Sequence, residues 1–599
     1  MRWKMPKVLL SGNEACARGA YEAGVQVACG YPGTPSTEIL ESLAQYREID
    51  SEWSINEKVA LEIIFGSAFA GLRSLATMKN VGLNVAADPL FSGAYLGVEG
   101  GCVIISADDP GLHSSQTEQD NRYYALHAKV PLFEPSDSQE AKEMMKTAFE
   151  VSEQYKIPVL FRMTTRVCHS KGLVELGERI EKTPTVYRRD LTRFVATPAR
   201  CRVHHGELEQ KLKALEEWSN ETGLNFIEMG DPKIGVITSG IAYQHAKEAF
   251  GSRASFLKLG FTHPLPSRKI IDFSQKVERI YVIEENDPFI ENHVKALGIS
   301  AIGKERLSLC GELNSEMIAS RLLGENVSGC EITEEKALPR PPVLCSGCPH
   351  RGVFYELSQL KDTVITGDIG CYTLGSAEPL NAMDTVLCMG AGISAAIGFE
   401  RAFKKIGRTS RVIGVIGDST FFHSGITGLA DAVFNRSQIT VCILDNRSTA
   451  MTGHQNNHGT GLRLSGKPAT EIEIKDIVKA LGVEHFFEIN PNDLAGLKAL
   501  LKETAVLEGP IVILAKWPCA LLKELPPQDR SKFDLPQSKY TVQEDMCKKC
   551  KKCLTLGCPS ISFIPGAGSR IDESTCKGCS LCYQVCPFHA IQKRGDRNV

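Results

Sequence analysis

Residues 416–425 read IGDSTFFHSG, and the fold turns on what this stretch does. An apolar, β-branched run, RVIGVIG (411–417), leads into it, and a helix-like run, ITGLADAVFNR (426–436), follows. A strand that breaks at Gly417-Asp418 and continues as a helix is the repeating unit of a parallel α/β sheet. A second apolar run, QITVCILDN (438–446), ends at Asn446, 28 residues after Asp418. That spacing covers one helix and one strand, so both side chains reach the carboxyl ends of neighbouring strands, where such sheets bind ligands. An Asp carboxylate, an Asn amide oxygen and a nearby backbone carbonyl form an oxygen set suited to Mg2+ bridging a diphosphate.

Working outward, the same rhythm recurs. VQVACGYPG (25–33), GGCVIISADD (100–109) and IPVLFRMTT (157–165) alternate with helical patterns, and KIGVITSG (233–240) and RIYVIEEN (279–286) repeat it further on. The expected layout is a doubly wound domain over 1–190, a charged helical connector over 191–231, a second α/β domain over 232–335 and a third over 343–525. Pro339, Pro341 and Pro342 mark a linker before the third domain. A Pro-rich polar stretch (522–540) separates that domain from a cysteine-dense tail over 540–599.

Composition bounds the function. At 599 residues the chain exceeds what one core serves, so three to five domains are expected. A net charge of −3 argues against a nucleic-acid partner. No apolar run approaches the ~20 residues that span a bilayer, and the first apolar stretch is too short for a signal-peptide core. The expectation is a cytoplasmic protein without a membrane partner. Twenty-one clustered cysteines then point to metal ligation rather than disulfides.

The tail carries Cys547, Cys550, Cys553 and Cys558-Pro559, then Cys576, Cys579, Cys582 and Cys586-Pro587. Two C-x2-C-x2-C runs, each completed by Cys-Pro, form the two-cluster ferredoxin pattern, in which the fourth cysteine serves the other cluster. Cys547, Cys550, Cys553 and Cys586 are therefore expected on one 4Fe–4S cluster, and Cys576, Cys579, Cys582 and Cys558 on the second. Zinc sites rarely use eight cysteines so spaced. The first run has four residues before its last cysteine instead of three, a departure the crossed arrangement should tolerate.

Gly417-Asp418-Ser419 followed by Asn446 resembles the thiamin-diphosphate motif, with Ser419 in place of its second glycine. The resemblance implies that Asp418, Asn446 and the Ser448 carbonyl hold Mg2+. Gly367-Asp368 has no strand-terminal Asn after it and is set aside. Gly390 and Gly392, before a helix, suit close backbone approach to phosphate.

The whole chain resembles the thiamin-diphosphate-dependent 2-oxoacid:ferredoxin oxidoreductases, in particular large subunits acting on arylpyruvates such as indolepyruvate. The motifs that carry this are YPGTPSTE (31–38), INEKVALE (55–62), CSGCPHRG (345–352), GDIGCYTLG (367–375), GDSTFFHSG (417–425), DNRSTAMTG (445–453) and the tail. The implied fold class is α/β, with several doubly wound parallel-sheet domains of the thiamin-diphosphate-binding fold plus a small C-terminal ferredoxin-like α+β domain. In order, the domains are pyrimidine-binding, transketolase-C-like, diphosphate-binding and ferredoxin. The resemblance assigns Glu57 to N1′ of the thiamin pyrimidine and Thr34 to the neighbourhood of the keto acid, with Arg122 as a carboxylate partner. Cys345, Cys348, Cys371 and Cys519 match the ligands of a third, proximal 4Fe–4S cluster. The implied reaction is oxidative decarboxylation with coenzyme A, electrons leaving to ferredoxin. A smaller beta subunit is expected to complete the enzyme, as a dimer of heterodimers. Pyruvate or branched-chain 2-oxoacids remain open as substrates, as does an electron-transfer subunit with a degenerate thiamin site.

Overall fold

Strands covered by helices on both faces are largely apolar, and the long strands Cys102–Asp108, Val159–Thr164 and Thr440–Asp445 are buried at every position. They lie at the centres of two of the three large sheets in a computed structural model that describes residues 6–182, 187, 189–325, 341–536 and 538–594. The chain divides into two units, Met1–Glu335 and Lys336–Val599. Pro339 lies outside the described residues.

The first unit holds two large sheets and an antiparallel pair, Lys7–Ser11 with Lys171–Glu175. One has seven strands in the order Phe261–His263, Leu132–Phe133, Val159–Thr164, Cys102–Asp108, Ser74–Lys79, Val27–Gly30 and Asp50–Trp53. All neighbours run parallel except the edge strand Phe261–His263. The other sheet pairs Ala301–Ile302, Arg279–Ile283, Ile234–Ser239 and Ser255–Leu259 in parallel, with Phe226–Glu228 antiparallel at its edge. The charged segment 191–231 is mainly the 24-residue helix Pro198–Glu221, after which Phe226–Glu228 enters the second sheet.

The second unit is built on a six-stranded, all-parallel sheet in the order Thr385–Val386, Thr363–Gly367, Arg411–Gly417, Thr440–Asp445, Ile511–Lys516 and His485–Ile489. The tail forms two short antiparallel pairs, Tyr540–Val542 with Ile591–Lys593 and Ile561–Ile564 with Gly568–Ile571. The Pro-rich stretch expected only to separate these parts does more. Its Asp529 is fully buried and accepts from the Arg447 guanidinium at 2.8 and 3.2 Å, strapping the segment to the diphosphate-site loop. No helix among the described residues is long and apolar enough to cross a membrane.

Candidate thiamin and iron–sulfur centre

Strand Arg411–Gly417 ends at Asp418, and the adjacent strand Thr440–Asp445 ends just before Asn446. The helical run from Asp418 begins with one α turn, widens into a π turn at Phe421–Gly425 and resumes as Ile426–Phe434. Gly417 admits no side chain, because a Cβ there would lie 2.3 Å from the Tyr372 ring. Ser419, where the motif has glycine, sets its hydroxyl 2.8 Å from that of Thr449.

Asp418, Asn446 and Ser448 are all buried. The Ser448 N–H lies 3.2 Å from both Asp418 Oδ2 and Asn446 Oδ1, so the two oxygens converge on one point. The Asn457 amide donates to the same Asp418 oxygen at 2.8 Å. Asn446 is oriented from behind: its amide nitrogen is 3.3 Å from His350 Nε2. Burial pulls the His350 pKa down to about 4, so the ring is neutral at pH 7 and accepts that amide proton, which turns Oδ1 toward Asp418. Burial, then the nearby Asp445, pushes the Asp418 carboxyl up to about 8. No Lys or Arg forms an ion pair with it among the described residues. A buried carboxylate without a counter-ion, beside a second converging oxygen, is a donor set that a divalent cation completes. These residues fit Mg2+.

The glycines before helix Ala391–Ile406 behave differently from expectation. The Gly392 N–H donates to Asp368 Oδ2 at 3.0 Å, and Asp368 is fully buried with its pKa pushed up to about 7, chiefly by that burial. The amide expected to meet phosphate is thus already bonded to the residue set aside. Gly392 is required for packing: a Cβ there would lie 2.3 Å from the Val415 carbonyl oxygen. Gly390 adopts φ +88° at the helix start, where glycine is favoured.

Four cysteines gather beside Asp418. Burial pushes the Cys348 thiol up to about 12 and the Cys371 thiol up to about 11; Cys519 raises both further, and Cys371 also acts on Cys348. Cys345 raises Cys371 and Cys519 in turn, and Asp418 acts on the same two thiols. Cys519 donates its N–H to the Asn446 carbonyl at 3.0 Å, tying this group to the magnesium ligands. Among the described residues no three His, Cys, Asp or Glu side chains close on a single metal ion. A cubane, which holds its cysteines at the corners of a larger body, asks for wider spacing.

The tail repeats this arrangement twice. Cys553 is acted on by Cys550 and Cys586, whereas Cys579 and Cys582 are acted on by Cys558 and Cys576, the crossed pattern of a two-cluster ferredoxin. Cys547 stands with the first group near Gly568, where a Cβ would lie 3.1 Å from its sulfur. Cys558, Cys576, Cys579 and Cys582 line one cavity together with Ser346 and Gly347 of the Cys345–Cys348 loop. The extra residue before Cys558 is taken up by a 3-10 turn, Lys552–Leu556, ending in Gly557 at φ +63°. Buried Arg351 clamps that turn, donating to the Leu556 carbonyl at 2.6 Å and to the carbonyls of Leu344 and Cys345 at 2.5 and 2.9 Å. Ser346 and Ser560 hydroxyls meet at 2.7 Å, and Gln584 donates to the Asn492 carbonyl at 2.7 Å. Cys550 is exposed at the far end of this series.

In the first unit, Glu57 opens helix Glu57–Phe69, whose N-cap Asn56 accepts from the Val59 N–H at 2.9 Å. Its carboxylate is buried against Gly82, where a Cβ would lie 2.6 Å from Oε1. Thr34 follows strand Val27–Gly30 in a turn with a cis Thr34–Pro35 bond, and its carbonyl accepts from the Ser114 hydroxyl at 3.0 Å. Arg122 requires a correction. It is buried, paired with Asp120 at 2.5 Å and Glu284 at 2.6 Å, and donates to the carbonyls of Glu285 and Asp287 at 2.9 Å. Buried and already paired with two carboxylates, it belongs to the scaffold.

Sequence reasoning missed His350 and Asn457, which hydrogen-bond Asn446 and Asp418; His350 lies inside the quoted CSGCPHRG motif and was within reach. It also passed over Lys79, which ends strand Ser74–Lys79 near Thr34.

The comparisons with known proteins agree with this geometry. Residues 18–209 match the family model described as pyruvate flavodoxin/ferredoxin oxidoreductase, thiamine diP-bdg. Residues 368–515 match the thiamine pyrophosphate enzyme C-terminal TPP binding domain, and 569–592 a 4Fe-4S binding domain. Indolepyruvate oxidoreductase subunit IorA of Archaeoglobus fulgidus is 40% identical over 98% of this chain and 97% of its own length. That of Methanothermobacter thermautotrophicus is 41% identical over 98% of each. The 2-oxoglutarate synthase subunit KorA of Methanothermobacter marburgensis is 24% identical over 46% of this chain and 87% of its own length. Likeness that runs nearly end to end at such identity takes in the thiamin-binding segments and the iron–sulfur tail alike, and the chain therefore belongs to the family of the indolepyruvate oxidoreductase IorA subunits, thiamin-diphosphate-dependent 2-oxoacid:ferredoxin oxidoreductases.

Proposed function

We propose that this chain oxidises arylpyruvates, indolepyruvate foremost, in a cytoplasmic complex with a smaller beta subunit. The balanced reaction is 2-oxoacid plus coenzyme A plus two oxidised ferredoxins, giving acyl-CoA, CO2, two reduced ferredoxins and a proton. The observation that carries this reading is the contiguity, inside one unit, of the Asp418–Asn446 oxygens, the four cysteines beside them and the cysteine cavity of the tail.

Asp418, Asn446 and the Ser448 carbonyl hold Mg2+ on the diphosphate. Thiamin diphosphate held there would supply a carbon nucleophile and an electron sink for decarboxylation. Glu57, buried and fixed at a helix start, exchanges a proton at N1′ of the pyrimidine. Thr34 lies beside the keto acid. Cys345, Cys348, Cys371 and Cys519 hold the cluster nearest the thiamin. Cys558, Cys576, Cys579 and Cys582 hold the next, and Cys547, Cys550, Cys553 and Cys586 the outermost. One-electron carriers in series divide a two-electron oxidation into steps that ferredoxin accepts. The IorA relatives are named as subunits, which supports a partner chain, and we propose a dimer of such pairs.

The test is anaerobic reduction of a viologen dye by the complex with indolepyruvate, with and without coenzyme A. Reduction that depends on coenzyme A is expected, with about twelve irons per chain. Aldehyde and CO2 released without dye reduction would overturn the oxidoreductase, and about eight irons would remove the proximal cluster.

A further inference from the structure

We propose that Lys79 is the residue that recognises the carboxylate of the 2-oxoacid, the role that Arg122 cannot fill. The inference rests on the assignment of Thr34 to the keto acid above and adds the anion-binding group of the same site.

Lys79 stands where three parallel strands end. It closes Ser74–Lys79, next to Val27–Gly30, which leads to Thr34, and to Cys102–Asp108, which leads to Asp109 and Ser114. The carboxyl ends of such strands are where parallel sheets take ligands. The turn before Thr34 lies against it: a Cβ on Gly33 would be 2.8 Å from the Lys79 Cβ. Its ammonium donates to the Ser114 carbonyl at 2.6 Å, and the Ser114 hydroxyl donates to the Thr34 carbonyl at 3.0 Å, so Thr34 and Lys79 are linked through one residue. Three positions on, Gly82 carries the close contact with Glu57. One short helix start thus touches the pyrimidine residue and the keto-acid residue together.

The ammonium there forms no ion pair among the described residues. Asp109 acts on it electrostatically, yet Asp109 is occupied by the Ser114 N–H at 2.8 Å, the Ser115 hydroxyl at 2.8 Å and the Thr165 hydroxyl at 2.7 Å. Among the described residues no carboxylate pairs with Lys79. Two buried lysines of the same unit make the contrast: Lys142 meets Glu22 at 3.1 Å and Glu143 at 2.8 Å, and Lys258 meets Glu140 at 2.6 Å. Lys79 is only half-buried, so its ammonium stays open to a ligand. Burial lowers the Lys79 pKa to about 8, which still leaves it charged at pH 7. Of its three N–H groups, one is spent on the Ser114 carbonyl and a second faces the Ser114 hydroxyl at a long 3.4 Å. A carboxylate placed beside Thr34 satisfies the remainder.

The test measures equilibrium binding of indole-3-lactate and of its methyl ester to the thiamin-loaded complex. The hydroxy acid cannot react, and the two probes differ only in charge. The complex should bind the acid about 10- to 100-fold more tightly than the ester, the range of a hydrogen bond to a charged group. Lys79→Met should erase that preference with little change for the ester, and Lys79→Arg should restore part of it. Should Lys79→Met fail to fold, Lys79→Gln carries the same test, because its amide keeps a donor for the Ser114 carbonyl. A neutral variant that still prefers the acid overturns the proposal, whether or not the oxidoreductase reading stands. A wild-type complex without any preference overturns it too, and viologen reduction then reports separately on the oxidoreductase.

Discussion

At the end of strand Cys102–Asp108, each guanidinium already has its partners: Arg122 meets Asp120 and Glu284, and Arg162 meets Asp108 and Glu134, at 2.5–2.6 Å, every side chain buried. At the end of strand Arg411–Gly417, Asp418 is equally buried but forms no ion pair among the described residues, and neither does the ammonium at the end of Ser74–Lys79. The topology is the same in each case, and the charge balance is not. A closed set of charges is finished by the protein itself and serves the scaffold. An open one is finished by something that binds. Read this way, exposure and residue type say little, and the test of a functional charge is whether its partner is already present.

The largest effect should come from breaking the closed set. Arg122→Met leaves Asp120 and Glu284 buried without their guanidinium, and unfolding should show a loss of about 3–5 kcal/mol. A neutral result would dissolve the distinction. Asp418→Asn is the opposite case. Without cofactor the variant should melt no lower than wild type, since burial already holds this carboxyl largely protonated at neutral pH and an amide replaces it at the same size. Its affinity for Mg2+ and thiamin diphosphate should fall by more than about 100-fold, so that cofactor no longer raises its melting temperature.

The smallest and most specific effect concerns pH. The ionisable group that acts on Lys79 is Asp109, at the end of the neighbouring strand; Glu57 lies against Gly82, three residues on, and His113, beside Ser114, is engaged with Glu312 at 3.3 Å. Lys79 is a base with a lowered pKa of about 8, so it binds an anion below that pH and loses the ability above it. KM for indolepyruvate should be flat up to about pH 7 and rise about tenfold per unit above about pH 8, with the bend absent in Lys79→Arg. A rise in both proteins would assign the titration to another group.

The readable parts of the sequence were those in which spacing itself is the signal. Continuous apolar runs marked the central strands, 28 residues separated two strand-end ligands, and C-x2-C-x2-C runs crossed as the tail cysteines do. What escaped depends on residues far apart in the chain. Arg122 looks like an open charge on a polar loop until Glu284, 162 positions away, is brought to it. Asp368 looked like a failed metal motif, yet it holds the Gly392 amide 24 residues on. Lys79 carries no motif at all, and only the placement of three strand ends gives it meaning.

The Arg351 clamp has a consequence for how electrons travel. A carrier module on a slack tether must swing between donor and acceptor, and its throughput falls as the medium thickens. Here one guanidinium grips the loop of Cys345 and the turn before Cys558 at once. Under the proposed function the relay would then be a fixed wire, with its gaps set by packing and diffusion left to the external electron acceptor.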